Sequence, residues 1–461
     1  MAIHVDKKQI GMWGLVMLTL GNIVNSMGIA VVAGNGYSGI LIFLIACVLF
    51  SLPCLIVSNF LAVHYKHDGG LFHWIQQAFG QKSAFITTWL SWISVMVSFP
   101  AFMTFNVSLL AYSIDMSWLS HNKIYIAASS IFFVWFFTWI ASRGVKGTVK
   151  LSACNTIFSY VVPITLLFLC ALIWIFWGSP STHTPLTAHN ILPTDSIMGV
   201  LALLGVAVFM VAGLEGSGYF INYVKDGATY KKAMTIAFIV VTVAPIIAIF
   251  SMLTLIPLDH LSDSNGLMQA FTFFFNWIHF HIGSSIILFL YFVGQMMAVA
   301  TLILFGVKAM EATILGGLFP KKLLEKNKFG ISHKLIKVQA LFISIIIIAF
   351  TLIPSLSSAY ALIVVIVGIA SIVRYIFIFA AAGKIMWHMP RSRALYITLV
   401  CAFVGGVFSL ITFGLSFIPP IQNDMSVMNY EILLGIGVFI TIIVPFIYLG
   451  INALKKPKAS K

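Results

Sequence analysis

The chain has 461 residues, 61% of them hydrophobic and 8% charged, with a mean hydropathy of +1.05. A soluble fold cannot bury that much apolar surface, so composition excludes a globular domain and points to a helical protein that crosses a bilayer many times. The net charge of +14 does not mark a nucleic-acid binder, because the basic residues fall in alternate loops, the pattern that orients a membrane protein.

A short tail with Asp6, Lys7 and Lys8 precedes the first apolar run. No small-residue cleavage site follows that run, so a retained helix is expected rather than a signal peptide. The first span is predicted over Gly11 to Ala33 and the second over Ile40 to Tyr65. The polar turn His67-Asp68-Gly69-Gly70 leads into a short amphipathic piece, Leu71 to Phe79. The third span runs from Ser83 to Tyr112, with a kink expected at Pro100. Further spans are predicted over Ile124 to Ser142, Leu151 to Trp177, Ile197 to Tyr223, Ala233 to Leu258 and Ser284 to Thr313. The last four cover Ile336 to Pro354, Ala359 to Ala382, Leu395 to Phe417 and Glu431 to Leu454. The expectation is an all-α membrane protein of about twelve transmembrane helices, each of the length a bilayer demands.

The loops support an even span count with both termini cytoplasmic. One side collects Arg143, Lys146 and Lys150, then Lys225, Lys231 and Lys232, and then a run from Lys321 to Lys337. The other side holds Lys123 among Asp115, Asp195, Asp259, Asp263 and Asp424. Basic residues favour the cytoplasmic side. The five cysteines all fall inside apolar segments, with no metal or disulfide spacing, and read as small core residues.

Two spans are weakened in matching places. The first carries Gly21-Asn22-Ile23-Val24-Asn25-Ser26-Met27-Gly28, and the sixth carries Phe209-Met210-Val211-Ala212-Gly213-Leu214-Glu215-Gly216-Ser217-Gly218-Tyr219. Each glycine weakens a helix by about 1 kcal/mol relative to alanine. Backbone loosened at membrane depth is tolerated only where it faces protein or a wet cavity. Five spans separate the two stretches, an odd number, so the second copy is inverted. Paired interruptions of this kind point to a transporter's central site.

Glu215 is the acidic residue expected near the midplane, where an ionisable group is costly and functional by default. Desolvation favours the uncharged form of a carboxyl group, which makes Glu215 a candidate proton site or sensor. The structural alternative is a protonated glutamate bonded to Asn22 or Asn25. Lys308 and Glu311, three apart, are expected to pair on one helix face as a snorkelling pair at an inner gate. Arg374 receives the same snorkelling reading. His279 and His281 lack the partners of a metal site, and no cofactor is implied. Trp89 and Trp92 read as packing or belt aromatics. Ser357 and Tyr360 are candidate lining for an outer vestibule, with Tyr360 as a gate.

Gly21-Asn22-Ile23 with Ser26, and the stretch from Phe209 to Glu215, resemble the first and sixth helices of amino-acid antiporters of the amino acid–polyamine–organocation superfamily. Asp68-Gly69-Gly70-Leu71-Phe72-His73-Trp74 resembles that superfamily's acidic/Gly-Gly-x-aromatic-x-Trp turn, and the glutamate/GABA antiporter branch is nearest. The resemblance implies a LeuT-like fold, a five-plus-five inverted repeat with discontinuous helices 1 and 6 and two extra C-terminal helices. The repeats would cover about residues 11–177 and 197–382, with the extra helices at about 395–454. It also implies that exposed N–H groups at Ser26, Met27 and Gly28 receive a substrate carboxylate, since a half-helix start carries partial positive charge. Carbonyls near Ile23, Phe209 and Ala212 would take the ammonium, with Gly213 completing the substrate-binding set. Phe209 matches an aromatic gate position that is Trp in arginine antiporters, and Glu215 matches a glutamate of the proton response there.

Two departures stand out. The usual Gly-Ser-Gly of helix one is Asn25-Ser26-Met27 here, which narrows the site. No long C-terminal plug is expected after Leu454. The function implied is a secondary transporter of amino acids, or of an amino acid against its decarboxylation product, in a bacterial inner membrane. Its partners would be a small amino-acid substrate, protons and lipid. A proton-coupled symporter or a non-transporting sensor with the same fold are the alternatives. A membrane enzyme fits poorly, because the acidic residues are scattered singly.

Overall fold

The computed structural model describes residues 10–23, 26–65, 70–178, 191–192, 197–261, 266–317, 319–351, 356–416, 432, 435 and 437–455. The first span is two helices, α1 (Met12–Ile23) and α2 (Ser26–Ala33), on either side of residues 24 and 25, which lie outside the described set. A tight turn at Gly34 and Asn35 leads to α3 (Gly36–His64), longer at its start than the span predicted from Ile40.

The helix α4 (Leu71–Ser113) bends sharply at Gly80, whose φ of 81° and ψ of 177° are not helical. That bend separates the short piece 71–79 from the spanning part 81–113, as the pattern of polar residues predicts. The backbone stays helical through Pro100. Next come α5 (Lys123–Ala141), α6 (Val145–Trp177) and α7 (Ile197–Val211). They are followed by α8 (Gly227–Leu255), α9 (Gly266–Trp277), α10 (Ile282–Leu315), α11 (His333–Thr351), α12 (Leu356–Trp387), α13 (Arg393–Leu415) and α14 (Val444–Lys455). Among the described residues ten helices are long and apolar enough to cross a membrane. The helix α9, in a stretch predicted as outer loop, is missing from the sequence reading. Asp226 caps α8 by accepting from the Thr229 N–H at 2.7 Å, which holds its carboxyl below the usual carboxylate range.

Among the described residues three helices carry one wide, π-type turn each, every one just ahead of a proline. The turns Cys47–Ser51, Ile157–Val161 and Phe439–Ile443 each end two residues before a proline: Pro53, Pro163 and Pro445. Proline has no N–H to give the carbonyl four residues back, and its ring crowds that carbonyl. In all three cases that carbonyl, of Leu49, Ser159 or Thr441, lies at the centre of the wide turn. At the third, Trp89 Nε1 donates to the freed Thr441 carbonyl at 3.2 Å, which ties α4 to the last helix. Trp92 likewise donates to Gln339 Oε1 at 3.2 Å, so both tryptophans are packing residues with satisfied donors.

Replacing Trp89 with Phe keeps an aromatic ring but leaves the Thr441 carbonyl without its donor. The expected cost is about 1 kcal/mol from the lost hydrogen bond, read as a lower melting temperature in detergent. An unchanged melting temperature would show that the contact contributes nothing.

Candidate substrate site

The sixth span stops being an α-helix at Val211, and the chain continues as a tighter 3₁₀ stretch, Leu214–Tyr223. Between them Gly213 adopts φ +119°, ψ −5°, a conformation that side chains with a Cβ rarely reach. Asn22, at the end of α1, donates its amide to the Gly213 carbonyl at 3.3 Å. The end of α1 therefore meets the interruption of the sixth span and supplies a partner for its open backbone, as burial in hydrocarbon requires.

Glu215 is 2% exposed and fully engaged. Arg374 Nη2 lies 3.0 Å from one carboxylate oxygen, and the Tyr375 hydroxyl donates to the other at 2.5 Å. The same Tyr375 oxygen accepts from the Gly213 N–H at 2.6 Å, and Arg374 Nη1 donates to Ser91 Oγ at 3.2 Å. Two expectations are thereby corrected. The partner of Glu215 is not Asn22, whose amide is taken by Gly213, while Asn25 lies outside the described residues. Arg374 does not snorkel to the membrane surface: it is 6% exposed and pairs with Glu215 in the interior. Spacing along one helix could not show this, because the pair joins α12 to the sixth span, 159 positions apart by number.

A cavity of about 170 Å³ opens beside this cluster. Of the residues expected in a substrate site, Ile23, Phe209, Ala212, Gly213 and Glu215 line it. Gly28 does not: it packs against the Met210 side chain. The side chains of Ser26, Met27, Ser357 and Tyr360 lie outside the described set, as do Asp68 and Gly69 entirely. Sequence reading missed Arg374 as lining, and also Ser91, Ser94 and Ser98 of α4 and Gln295 of α10. The serines were detectable as a stripe at i, i+3 and i+7 on an otherwise apolar helix, a pattern that shares one face.

The cavity extends along α4 from Ser91 to Phe105, about 21 Å at the helical rise of 1.5 Å per residue. Its floor lies toward the face where the Ile10 N–H donates to the Tyr223 carbonyl at 3.0 Å. That face is closely packed. A Cβ on Gly70 would sit 2.6 Å from the Gly218 carbonyl carbon, and a Cβ on Gly218 would sit 2.6 Å from the Trp74 ring. The Gly-Gly-x-aromatic-x-Trp turn thus closes against the 3₁₀ stretch of the sixth span. Below it Lys308 and Glu311 pair at 2.8 Å as their spacing predicts, with Ser332 donating to Glu311 at 2.6 Å. The pair does not snorkel, since its side chains are only 7% and 10% exposed.

A bundle of apolar helices in which the sixth span breaks beside the end of α1 around a shared cavity is the LeuT-like architecture of secondary transporters, the five-plus-five inverted repeat. Its overall course matches the crystal structure of MhsT in complex with L-phenylalanine, with a TM-score of 0.62 at 15% identity over 89% of this chain and 99% of that one. Residues 10–444 match the amino acid permease family, and the chain belongs to it. Relatives include an uncharacterized transporter of Legionella pneumophila, 26% identical over 96% of this chain and 97% of that protein. Another is a glutamate/gamma-aminobutyrate antiporter of Lactococcus lactis, 22% identical over 96% of this chain and 90% of that protein. The protein is an integral membrane transporter of the amino acid permease family.

Proposed function

We propose that the protein exchanges amino acids across a bacterial inner membrane, with both termini in the cytoplasm, by rocking one group of helices against another around a central site. The observation that carries this reading is the meeting of the end of α1 with the broken sixth span at one cavity, held by the Asn22 to Gly213 bond. Backbone groups of the first and sixth spans around Ile23, Phe209 and Ala212 bind the amino and carboxylate groups of the substrate. Phe209 closes over it from within the cavity lining, and Tyr360 gates the outer end. Close packing between the cavity and the Ile10–Tyr223 face favours the outward-facing half of such a cycle. The kinship with glutamate/gamma-aminobutyrate antiporters favours exchange over symport.

Glu215 takes part in proton coupling. In the present arrangement its two oxygens accept from Arg374 and Tyr375.

The test is uptake of labelled amino acid into proteoliposomes preloaded with unlabelled amino acids. Exchange that needs internal substrate is expected. Accumulation driven by a pH gradient alone would replace exchange by symport, and no movement of any amino acid would remove the carrier reading. Glu215→Gln is expected to flatten the pH profile of transport while leaving membrane insertion unchanged. A wild-type profile in that variant would make Glu215 purely structural.

A further inference from the structure

From the charge balance of the cavity we infer that the substrate is a net-neutral amino acid with an apolar or aromatic side chain; the inference rests on the carrier reading above. Among the described lining residues the charged groups are Glu215 and Arg374, and they cancel each other across 3.0 Å. Each is also held by a further neighbour, Glu215 by Tyr375 and Arg374 by Ser91, so an incoming ammonium would have to compete with donors already in place.

A zwitterion brings its own pair of opposite charges and can be met by the backbone dipoles at the two helix breaks. A third charge, on an acidic or basic side chain, finds no free countercharge in the lining. It would enter a low-dielectric space unpaired or have to break the existing pair, and both are strongly unfavourable. The rest of the wall says what side chain is welcome. Phe102, Phe105, Phe209, Leu302 and Phe305 form an apolar surface from three different spans, interrupted by the hydroxyls of the α4 serines. Aromatic and branched aliphatic side chains match such a wall, since removing apolar area from water is the dominant favourable contribution.

The experiment is competition in proteoliposomes at pH 7, with exchange of labelled leucine challenged by phenylalanine, isoleucine, glutamate, aspartate, lysine and arginine. The expected result is at least tenfold tighter competition by the neutral compounds than by any charged one. Glutamate or arginine competing as well as phenylalanine would overturn the inference while leaving the carrier reading standing. If leucine does not exchange, each of the six compounds is tested as labelled substrate; exchange of a charged one alone also overturns it.

Thermal stabilisation of the purified wild-type protein separates the two claims further, because ligand binding to the folded state raises the melting temperature. Stabilisation by phenylalanine and not by glutamate, with no transport of either, would keep the inferred specificity and remove the carrier. Uncompensating the pair gives the second arm. Glu215→Gln leaves the Arg374 guanidinium free, and the ratio of glutamate to leucine affinity is expected to rise at least tenfold. An unchanged ratio in a folded variant would show that this pair does not set charge selectivity.

Discussion

Arg374→Met is expected to be among the most destabilising single substitutions in the protein, and Glu215→Gln is expected to rescue most of the loss. Removing one partner of a buried ion pair leaves the other charged and without a countercharge, at a cost of about 3–5 kcal/mol. Here the stranded group would be a carboxylate that is 3% exposed and retains only the Tyr375 hydroxyl. Neutralising Glu215 in the same chain removes the stranded charge, while the amide still accepts from Tyr375. A double-mutant cycle on melting temperature in detergent isolates the coupling. Additive losses in the double variant would mean that the two side chains do not depend on each other.

Gly213→Ala is the second large effect, and here the cause is the backbone. At φ +119° an alanine is held in a region that costs of order 1–3 kcal/mol. Its Cβ would also lie 3.1 Å from both Asn22 Nδ2 and Ile23 Cγ1, the groups through which the first span meets the sixth. Transport is expected to fall by tenfold or more, in a chain that still inserts. Gly205→Ala is the matched control: it lies in regular helix in the same span, and a Cβ there meets nothing within 4 Å. That change should stabilise the helix by about 1 kcal/mol and leave transport intact. Equal transport in the two variants would show that the break at Gly213 is not needed for the cycle.

The legibility of the chain followed the range of the forces involved. The span pattern could be read because each helix must be about twenty apolar residues long whatever its neighbours are. The turn at Gly80 and the interruption at Gly213 could be read because they are encoded locally, in glycines that weaken helix. The pairing of Lys308 with Glu311 could be read because three residues on a helix bring two side chains onto one face. The wide turns were also local, each just ahead of a proline, but their widening is a response of the carbonyl four residues back. The helix α9 lay between spans, with no bilayer length requirement to betray it.

By itself, then, the sequence determined a many-spanning membrane helix bundle, where its spans run, and where the sixth of them must break. These follow from hydrophobicity, spacing and the glycine backbone, all properties of neighbours along the chain. Tertiary structure alone decided what the breaks face. It brought Arg374 and Tyr375 of α12 onto Glu215, gave Asn22 to the Gly213 carbonyl, and turned the serines of α4 toward one cavity. The physical reason is that a buried charge or an open carbonyl demands a partner without specifying which one. Only the packing of distant helices settles which of the available donors arrives.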